Sequence, residues 1–206
     1  MSILNVEQNN IRMKVVIIEG PDNVGKTTLL NRLSKVYNIY YIHCTGPKST
    51  DYTSQTIEQW QQYINVLKDI HGISKLKNAD RMVVILDRSW VGEYVYGCKY
   101  RNANDETVCQ MIDTCYTMLN DMDNVVNTTI LLTVDNPEFC VRNDDGLSLS
   151  QANKYDIADE IARFDNIFEH NPASMCNCHR IVVNDGMQFR SDDGPYKEIS
   201  DIIMNM

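Results

Sequence analysis

The sequence predicts a three-layer α/β fold, in which helices cover both faces of a five-stranded parallel sheet. Short apolar runs alternate along the chain with segments of helical periodicity, and the runs over residues 13–19 and 81–87 are nearly continuously apolar, as in strands that are buried on both faces. The 206 residues suffice for one substantial core. We therefore expect residues 1–206 to form a single domain, with the polar residues 1–12 loosely ordered.

The predicted strands are short and apolar, and several are rich in valine and isoleucine. They cover residues 13–19, 39–43, 81–87, 128–134 and 180–183. Apolar residues three or four positions apart predict helices between them. These helices cover residues 26–36, 55–70, 91–100, 105–122, about 157–168 and 196–204. Strands joined by helical crossovers pair in parallel, and ligands bind beyond their carboxyl ends. Functional motifs should therefore follow strands.

Composition argues against several classes of partner. The net charge of -9 repels phosphate backbones and anionic lipid headgroups, so we expect neither nucleic acid nor membrane as a partner. The N-terminus lacks the apolar core of a signal peptide, and no apolar run reaches the roughly 18 residues of a membrane span. Seven scattered cysteines favour a reducing compartment. We expect a soluble cytoplasmic protein that binds small molecules, in the host cytoplasm if it is viral.

The first predicted strand leads into a segment that fits the pattern GxxxxGK[ST] of a phosphate-binding loop, or P-loop. This segment is Gly20-Pro21-Asp22-Asn23-Val24-Gly25-Lys26-Thr27. Small residues at this spacing let backbone amides surround a phosphate at the start of a helix. Lys26 would neutralise the β- and γ-phosphates of ATP, and the Thr27 hydroxyl would bind Mg²⁺. A chance glycine turn is the alternative, but the position between strand and helix favours an ATP site that extends to Thr28.

A charged pair, Asp87-Arg88, closes the third predicted strand. Ending an apolar run with charges is costly unless they emerge at a site. Asp87 could orient a Mg²⁺-bound water or accept a proton, and Arg88 could clamp an anion with two hydrogen bonds. The alternative is a surface ion pair at the end of a strand.

The segment after Arg88 is rich in tyrosine. Glu93, Tyr96, Tyr100 and Arg101 recur at spacings that share one face of a helix. Such tyrosines can stack on a base or contact a sugar, and ordinary helix packing is the alternative. We take these four residues as candidates for binding the phosphoryl acceptor.

Together these motifs resemble the thymidylate kinase family of nucleoside monophosphate kinases, in particular its divergent members from phages and large DNA viruses. The resemblance runs over most of the chain, but the first two motifs below are the specific ones. The matching residues are Glu19-Gly20-Pro21-Asp22 with Gly25-Lys26-Thr27, then Asp87-Arg88 with Tyr96, and Pro137-Glu138.

The resemblance implies a P-loop NTPase fold and ATP- and Mg²⁺-dependent transfer to a deoxynucleoside monophosphate. The acceptor would carry a pyrimidine base, the product would be the diphosphate, and the protein would be a homodimer. By the same resemblance, Asp22 approaches the acceptor sugar or its phosphate-side contacts, and Arg88 binds the acceptor phosphate. Ser89, by contrast, is closer to the pattern of deoxynucleoside kinases, in which an acid at the position of Asp22 is unusual.

A mobile lid is expected over residues 143–155, which contain one cation, Lys154. Arg142 lies one place earlier than the arginine that the family carries after Pro-Glu. The cation that reaches the transferring phosphoryl group is therefore left open between Arg142, Lys154 and Arg163.

Three functions remain after the motifs are weighed. A monophosphate acceptor needs extra cations rather than a base, and Arg88 and Arg101 supply them. A nucleoside acceptor needs a carboxylate base, which Asp87 could provide, so a deoxynucleoside kinase is the alternative. A switch-type P-loop protein needs no acceptor pocket, and the Asp87-Arg88 pair with its tyrosine-rich helix argues against it. The monophosphate kinase is favoured.

Overall fold

The computed structural model describes residues 12–146, 148–151, 153–170, 172–191 and 194–206. Residues 1–11, most of the segment predicted to be loosely ordered, lie outside this range. The central sheet has five parallel strands in the order β2-β3-β1-β4-β5. They are β1 (Met13–Glu19), β2 (Ile39–His43), β3 (Val83–Asp87), β4 (Val125–Thr133) and β5 (Cys178–Val182). The predicted five-stranded parallel sheet is confirmed.

The crossovers between strands are helical. They include α1 (Lys26–Leu33), α2 (Tyr52–Ser74), α3 (Trp90–Gly92), α4 (Cys98–Tyr100), α5 (Asp105–Asn120), α6 (Pro137–Arg142) and α7 (Lys154–Glu169). Helix α8 (Gly194–Asn205) follows a small antiparallel hairpin of β6 (Asn184–Asp185) and β7 (Gln188–Phe189). A π-helical segment (Glu93–Gly97) joins α3 to α4, so the helix predicted over residues 91–100 exists but contains a wider turn.

Several boundaries differ from those predicted. The first helix ends at Leu33 instead of residue 36, and α2 runs four residues further at its C-terminus than predicted. Strand β3 begins at Val83, because Ala79–Arg81 forms a 3₁₀ turn. Strand β4 begins three residues early, at Val125, because its first residues pair with the start of β1. Helix α6 and the β6–β7 hairpin were not predicted.

Two apolar clusters cover the two faces of the sheet, because successive strand residues point to opposite sides. Val15 and Ile17 of β1 face one side, where they pack with residues of α2, α3 and α5. Val16 and Ile18 face the other, where they pack with residues of α1, α6 and α8. All four side chains are fully buried. This double coverage explains why β1 and β3 are nearly continuously apolar in sequence, whereas the edge strands β2 and β5 are only partly buried.

The carboxyl ends of the inner strands meet at one edge of the sheet. Ile18 lies opposite Asp87 in the β1–β3 pairing, and Glu19 lies opposite Leu131 in the β1–β4 pairing. The P-loop follows β1, Arg88 follows β3, and α6 starts four residues after β4. The expectation that each motif follows a strand is confirmed.

Among the helices that the structure describes, none combines the length and the apolar character that crossing a bilayer requires.

Gly20 is where the P-loop leaves the sheet, and it has no room for a side chain. Its φ of 143° is rarely adopted by other residues, and a Cβ atom would lie far inside contact distance of the Leu132 carbonyl oxygen. We predict that Gly20→Ala lowers the free energy of unfolding by about 3 kcal/mol or more, measured by urea denaturation.

Gly72, which lies exposed in α2 with no atom near its Cβ position, is the matched control. Gly72→Ala should instead stabilise by about 0.5–1 kcal/mol, since alanine restricts the unfolded chain and favours the helix. Equal effects of the two substitutions would contradict the prediction.

Candidate functional site

The P-loop turns sharply between β1 and α1. Asn23 and Gly25 both have left-handed backbones, with φ of 67° and 84°. The Lys26 ammonium donates hydrogen bonds to the carbonyl oxygens of Gly20 at 2.8 Å and Pro21 at 2.7 Å. Burial lowers the pKa of this ammonium, and nearby Asp22 opposes the shift. The loop therefore curls around its own lysine, whose ammonium is held by two backbone carbonyl oxygens of the loop.

A cleft of about 420 Å³ opens in front of this loop, and we call it the P-loop cleft. Its lining is mostly polar, and the cations in it, among the described residues, are Lys26 and Arg88. The lining residues are Asp22, Asn23, Gly25, Lys26, Thr27, Thr28, Arg88, Asn143, Asp145, Ser148 and Phe189. The cleft thus brings together the P-loop, the residue after β3 and the predicted lid.

The predicted lid contacts the tip of the P-loop. The Asn23 amide donates to the Asp144 carboxylate at 3.3 Å, and Asp144 also accepts from the backbone N–H of Gly146 at 2.9 Å. Residues 147 and 152 of this lid segment lie outside the described range. The contact holds the first part of the segment against the P-loop cleft.

A smaller apolar cleft of about 160 Å³ adjoins the P-loop cleft through Gly25, Thr28 and Phe189. The Phe189 ring packs edge-on against Phe139, with centroids 4.6 Å apart. At the other side of the cleft, the Arg32 guanidinium lies 5.3 Å from the centre of the Tyr196 ring. A mostly apolar cleft that is lined by aromatic rings and a guanidinium suits a planar heterocycle.

Asp87 ends β3 with its side chain buried. Its Oδ2 accepts from the Tyr41 hydroxyl at 2.6 Å and lies 3.1 Å from His43 Nδ1. Its Oδ1 is buried and has no hydrogen-bond partner within the described part of the chain. The edge strand β2 therefore fixes one oxygen of Asp87, whereas the other is enclosed behind the P-loop cleft, which Asp87 does not itself line.

Arg88 adopts a left-handed backbone with φ of 66°, which is unusual for a residue other than glycine. Its guanidinium donates to Asp22 Oδ1 at 2.7 Å and lies 5.8 Å from the centre of the Tyr96 ring. An ion pair on one side and an aromatic face on the other hold the side chain across the mouth of the P-loop.

A third cleft, of about 400 Å³, lies on the other side of Arg88, and we call it the tyrosine cleft. Asp22 and Arg88 line both this cleft and the P-loop cleft. The remaining lining residues are Cys44, Thr45, Gly46, Pro47, Gln59, Tyr63, Ser89, Gly92, Glu93, Tyr96, Tyr100, Arg101 and Leu149. The structure thus brings the four residues predicted on one helical face, from Glu93 to Arg101, into one cleft.

Two pairs organise the wall of the tyrosine cleft. Tyr96 and Tyr100 are stacked, with ring centroids 6.3 Å apart. Arg101 and Glu93 form an ion pair at 2.6 Å, and both side chains are largely buried. Gly97 leaves room for the Glu93 carboxylate, because a Cβ atom there would collide with it. The π-helical segment Glu93–Gly97 carries the first residue of each pair.

Two carboxyl groups near these clefts are deeply buried. Glu19 is fully buried, and burial raises the pKa of its carboxyl to about 7. Burial likewise raises the pKa of Glu160 in α7 to about 7, although Glu160 accepts a hydrogen bond from the Tyr100 hydroxyl at 2.5 Å. Each has one oxygen without a partner among the described residues. Perturbed pKa values of this kind are common at functional sites.

The three lid candidates lie outside these clefts. Lys154 pairs with Glu138 at 3.0 Å, and Arg163 pairs with Asp159 at 3.1 Å within α7. Arg142 ends α6 and does not line the P-loop cleft. In this conformation, none of the three reaches the space in front of Lys26.

Sequence reasoning did not assign a site role to Glu19, Glu160 or Phe189. Glu19 could have been found, because it ends an apolar strand with a charge, as Asp87 does. The hairpin that carries Phe189 has a signal in its Asp185-Gly186 pair, which is typical of a tight turn. Glu160 could also have been found, because it lies three residues after Ile157 and four before Phe164 and so interrupts the apolar face of the predicted helix.

The buried Glu19 carboxyl predicts a pH-dependent stability. Its pKa is raised from 4.5 to about 7 on folding, so the folded state loses stability as the pH rises through this range. Glu19→Gln removes the titration and keeps the shape. We predict that the stability of Glu19→Gln relative to the wild type increases by about 2–3 kcal/mol between pH 5 and pH 8.

Urea denaturation of both proteins at the two pH values measures this difference. An unchanged difference would show that Glu19 titrates alike in the folded and unfolded chains.

Comparison with known proteins identifies the fold. No family model matches the sequence, and no curated protein matches it. Solved structures do match. Thymidylate kinase from Candida albicans superposes with a TM-score of 0.65 at 17% identity, over 94% of this chain and 92% of that one.

Two further structures extend the comparison. The YorR protein of Bacillus subtilis, solved in complex with phosphorylated GDP, has a TM-score of 0.58 at 17% identity over 92% of this chain and 95% of that one. Polyphosphate kinase 2 from Arthrobacter aurescens has a TM-score of 0.59 at 16% identity over 84% of this chain and 62% of that one. The five-stranded, helix-covered architecture of this chain is the fold that these proteins share.

Proposed function

We propose that this chain transfers the γ-phosphoryl group of ATP to a deoxynucleoside monophosphate and releases the diphosphate and ADP. A deoxypyrimidine acceptor is favoured, and magnesium is required. One observation carries the proposal: Asp22 and Arg88 line both the P-loop cleft and the tyrosine cleft. A donor phosphate in the first and an acceptor phosphate in the second would meet at this ion pair.

Each cleft supplies what one substrate needs. The P-loop and Lys26 would bind the phosphates of ATP, and the apolar cleft beside Phe189 would hold its base. Arg88 would bind the acceptor phosphate, and stacked Tyr96 and Tyr100 offer an aromatic surface to its base or sugar. The homodimer implied by the sequence resemblance belongs to this proposal as well.

In the transfer, an oxygen of the acceptor monophosphate attacks the γ-phosphorus, and the bond to the β–γ bridging oxygen breaks. Lys26 would neutralise the charge that develops on the phosphoryl oxygens and the leaving ADP. Arg88 would hold the attacking phosphate in line, because Asp22 and the Tyr96 ring already restrain its guanidinium. Such restraint reduces the rearrangement that the reaction requires.

Thr27 and Asp87 suit the magnesium ion that the reaction calls for. The Thr27 side chain is at the exposed start of α1, and Asp87 Oδ1 is a buried acceptor without a partner among the described residues. Mg²⁺ in nucleotide sites is bound mainly by phosphates and water, with one or two protein oxygens. When bound, the ion would neutralise phosphate charge, and Tyr41 would keep the Asp87 carboxylate oriented.

The charges of the tyrosine cleft favour a monophosphate over a nucleoside. A nucleoside hydroxyl needs a carboxylate to take its proton. The carboxylates that line this cleft, Asp22 and Glu93, each pair with an arginine, at 2.7 Å and 2.6 Å. Asp87, the base considered from the sequence, does not line the cleft. Two arginines suit an anionic acceptor, so deoxynucleoside phosphorylation is the less supported alternative.

A substrate panel tests the proposal. ADP release from ATP and Mg²⁺ should be stimulated by deoxynucleoside monophosphates, most strongly by dTMP or dUMP, and not by the matching nucleosides. dGMP and dCMP belong in the panel, because they test the preference for the base. Stimulation by nucleosides alone would identify a deoxynucleoside kinase, and no stimulation by either would refute the proposed transfer.

Lys26→Ala should lower kcat/KM by about a thousandfold or more, because the developing phosphate charge loses its main neutralising group. Circular dichroism should show an intact fold. Lys35→Ala is the control, since Lys35 is an exposed lysine just beyond α1 and lines neither large cleft. Wild-type turnover in Lys26→Ala would exclude the P-loop as the catalytic site.

Arg88→Ala should raise the KM for the monophosphate by about a hundredfold, as expected when a charged phosphate contact is lost. The KM for ATP should change by less than about threefold, because Lys26 and the P-loop amides remain. Initial-rate kinetics with each substrate varied in turn gives both values. A larger effect on ATP than on the monophosphate would assign Arg88 to the donor instead.

A further inference from the structure

Glu19 joins the P-loop side of the site to the tyrosine cleft. It is the last residue of β1, directly before Gly20, and its side chain is fully buried. Glu19 Oε1 accepts a hydrogen bond from the Ser89 hydroxyl at 2.6 Å and from the backbone N–H of Gly92 at 3.3 Å. The strand that carries the P-loop is thus bonded to the turn that follows β3.

This turn contains Arg88. The backbone N–H of Arg88 donates to the carbonyl oxygen of Ile18 at 3.1 Å, and the next residue, Ser89, bonds to Glu19. The last two residues of β1 therefore hold Arg88 from both sides. A left-handed backbone at a non-glycine residue persists when its surroundings fix it, and these bonds surround Arg88.

The other neighbours of the carboxyl group reinforce the turn. Ser89 Oγ accepts from the Val91 N–H at 3.1 Å and so caps α3 while it donates to Glu19. Gly92 approaches so closely that a Cβ atom there would lie 3.3 Å from Glu19 Oε2. The Tyr63 hydroxyl donates to the Ser89 carbonyl oxygen at 3.3 Å. The turn is thus bonded from β1, from α2 and from within.

We propose that Glu19 is a positioning residue, which fixes the Ser89–Gly92 turn and thereby aims the Arg88 guanidinium at the space shared by the two clefts. The inference rests on the proposed function, in which Arg88 binds the acceptor phosphate. Glu19 itself touches no substrate, since it lines neither the P-loop cleft nor the tyrosine cleft.

A contribution to stability does not explain why a carboxyl group is buried at Glu19. A buried, ionisable side chain with one oxygen that has no partner among the described residues is costly to the folded state, and apolar side chains of similar size often stabilise such positions. A purely structural role would therefore be filled as well by methionine. Positioning requires an acceptor oxygen, which glutamine supplies and methionine does not.

Two substitutions at Glu19 separate the roles. Glu19→Met should raise the KM for the acceptor monophosphate by about thirtyfold, with the KM for ATP changed by less than about threefold. Glu19→Gln keeps an oxygen for Ser89 and Gly92, so it should restore the acceptor KM to within about threefold of the wild type. Ser89→Ala removes one bond and should give an intermediate value; it also serves if Glu19→Met does not fold.

Tyr116→Phe is the matched control. It removes another buried hydroxyl hydrogen bond of 2.6 Å, to Thr129 of β4, and Tyr116 lines neither the P-loop cleft nor the tyrosine cleft. Its acceptor KM should equal that of the wild type. A rise like that of Glu19→Met would mean that the loss of any buried hydrogen bond has the same effect, and would overturn the inference.

A second measurement does not depend on turnover. The Arg88 guanidinium, held by Asp22, should give a distinct, slowly exchanging side-chain N–H resonance in ¹⁵N-edited NMR, assigned by its loss in Arg88→Ala. It should persist in Glu19→Gln and Tyr116→Phe and disappear in Glu19→Met. A wild type that phosphorylates no monophosphate would refute the proposed function. An unaltered Arg88 resonance and acceptor KM in Glu19→Met would refute the role of Glu19.

Discussion

The parallel pairing of β1 with β3 is the constraint on which the candidate site depends. Ile18 lies opposite Asp87, so the two strands end side by side at the same edge of the sheet. One continues into the P-loop and the other into Arg88. A shift of this register by one residue would turn Asp87 to the opposite face of the sheet relative to β1 and the P-loop. Both strands are buried apart from the half-buried Lys14, so a shifted register would also disturb the packing of their apolar side chains.

Charge at the site is organised in pairs before any substrate arrives. The chain is acidic overall, and the arginines of the tyrosine cleft are each held by a carboxylate, Arg88 by Asp22 and Arg101 by Glu93. Pairing limits the motion of each guanidinium, and it offsets the cost of burying charge. A bound phosphate would then add to an existing network, in which the carboxylates set the orientation of the cations.

Carboxyl groups other than those facing the clefts also shape the site. Glu160 of α7 accepts a hydrogen bond from the Tyr100 hydroxyl, and Asp159 forms ion pairs with both Lys99 and Arg163. Helix α7 therefore anchors the tyrosine-rich segment from outside, and it engages a cation that the sequence left open as a lid residue. The P-loop cleft is left with Lys26 and Arg88 as its cations among the described residues, and the proposed reaction would take further positive charge from Mg²⁺.

The sequence by itself determined the sheet, the P-loop and the Asp87-Arg88 pair, because each is a local pattern. Continuous apolar runs specify strands buried on both faces, and the glycine spacing before Lys26 specifies the loop. Tertiary structure alone decided which hydrogen-bond partners the buried carboxyl groups have. Glu19 meets Ser89 and Tyr100 meets Glu160 across long sequence separations, so no local pattern records these contacts. The π-helical turn and the clefts depend likewise on how helices pack, which the spacing of apolar residues does not specify.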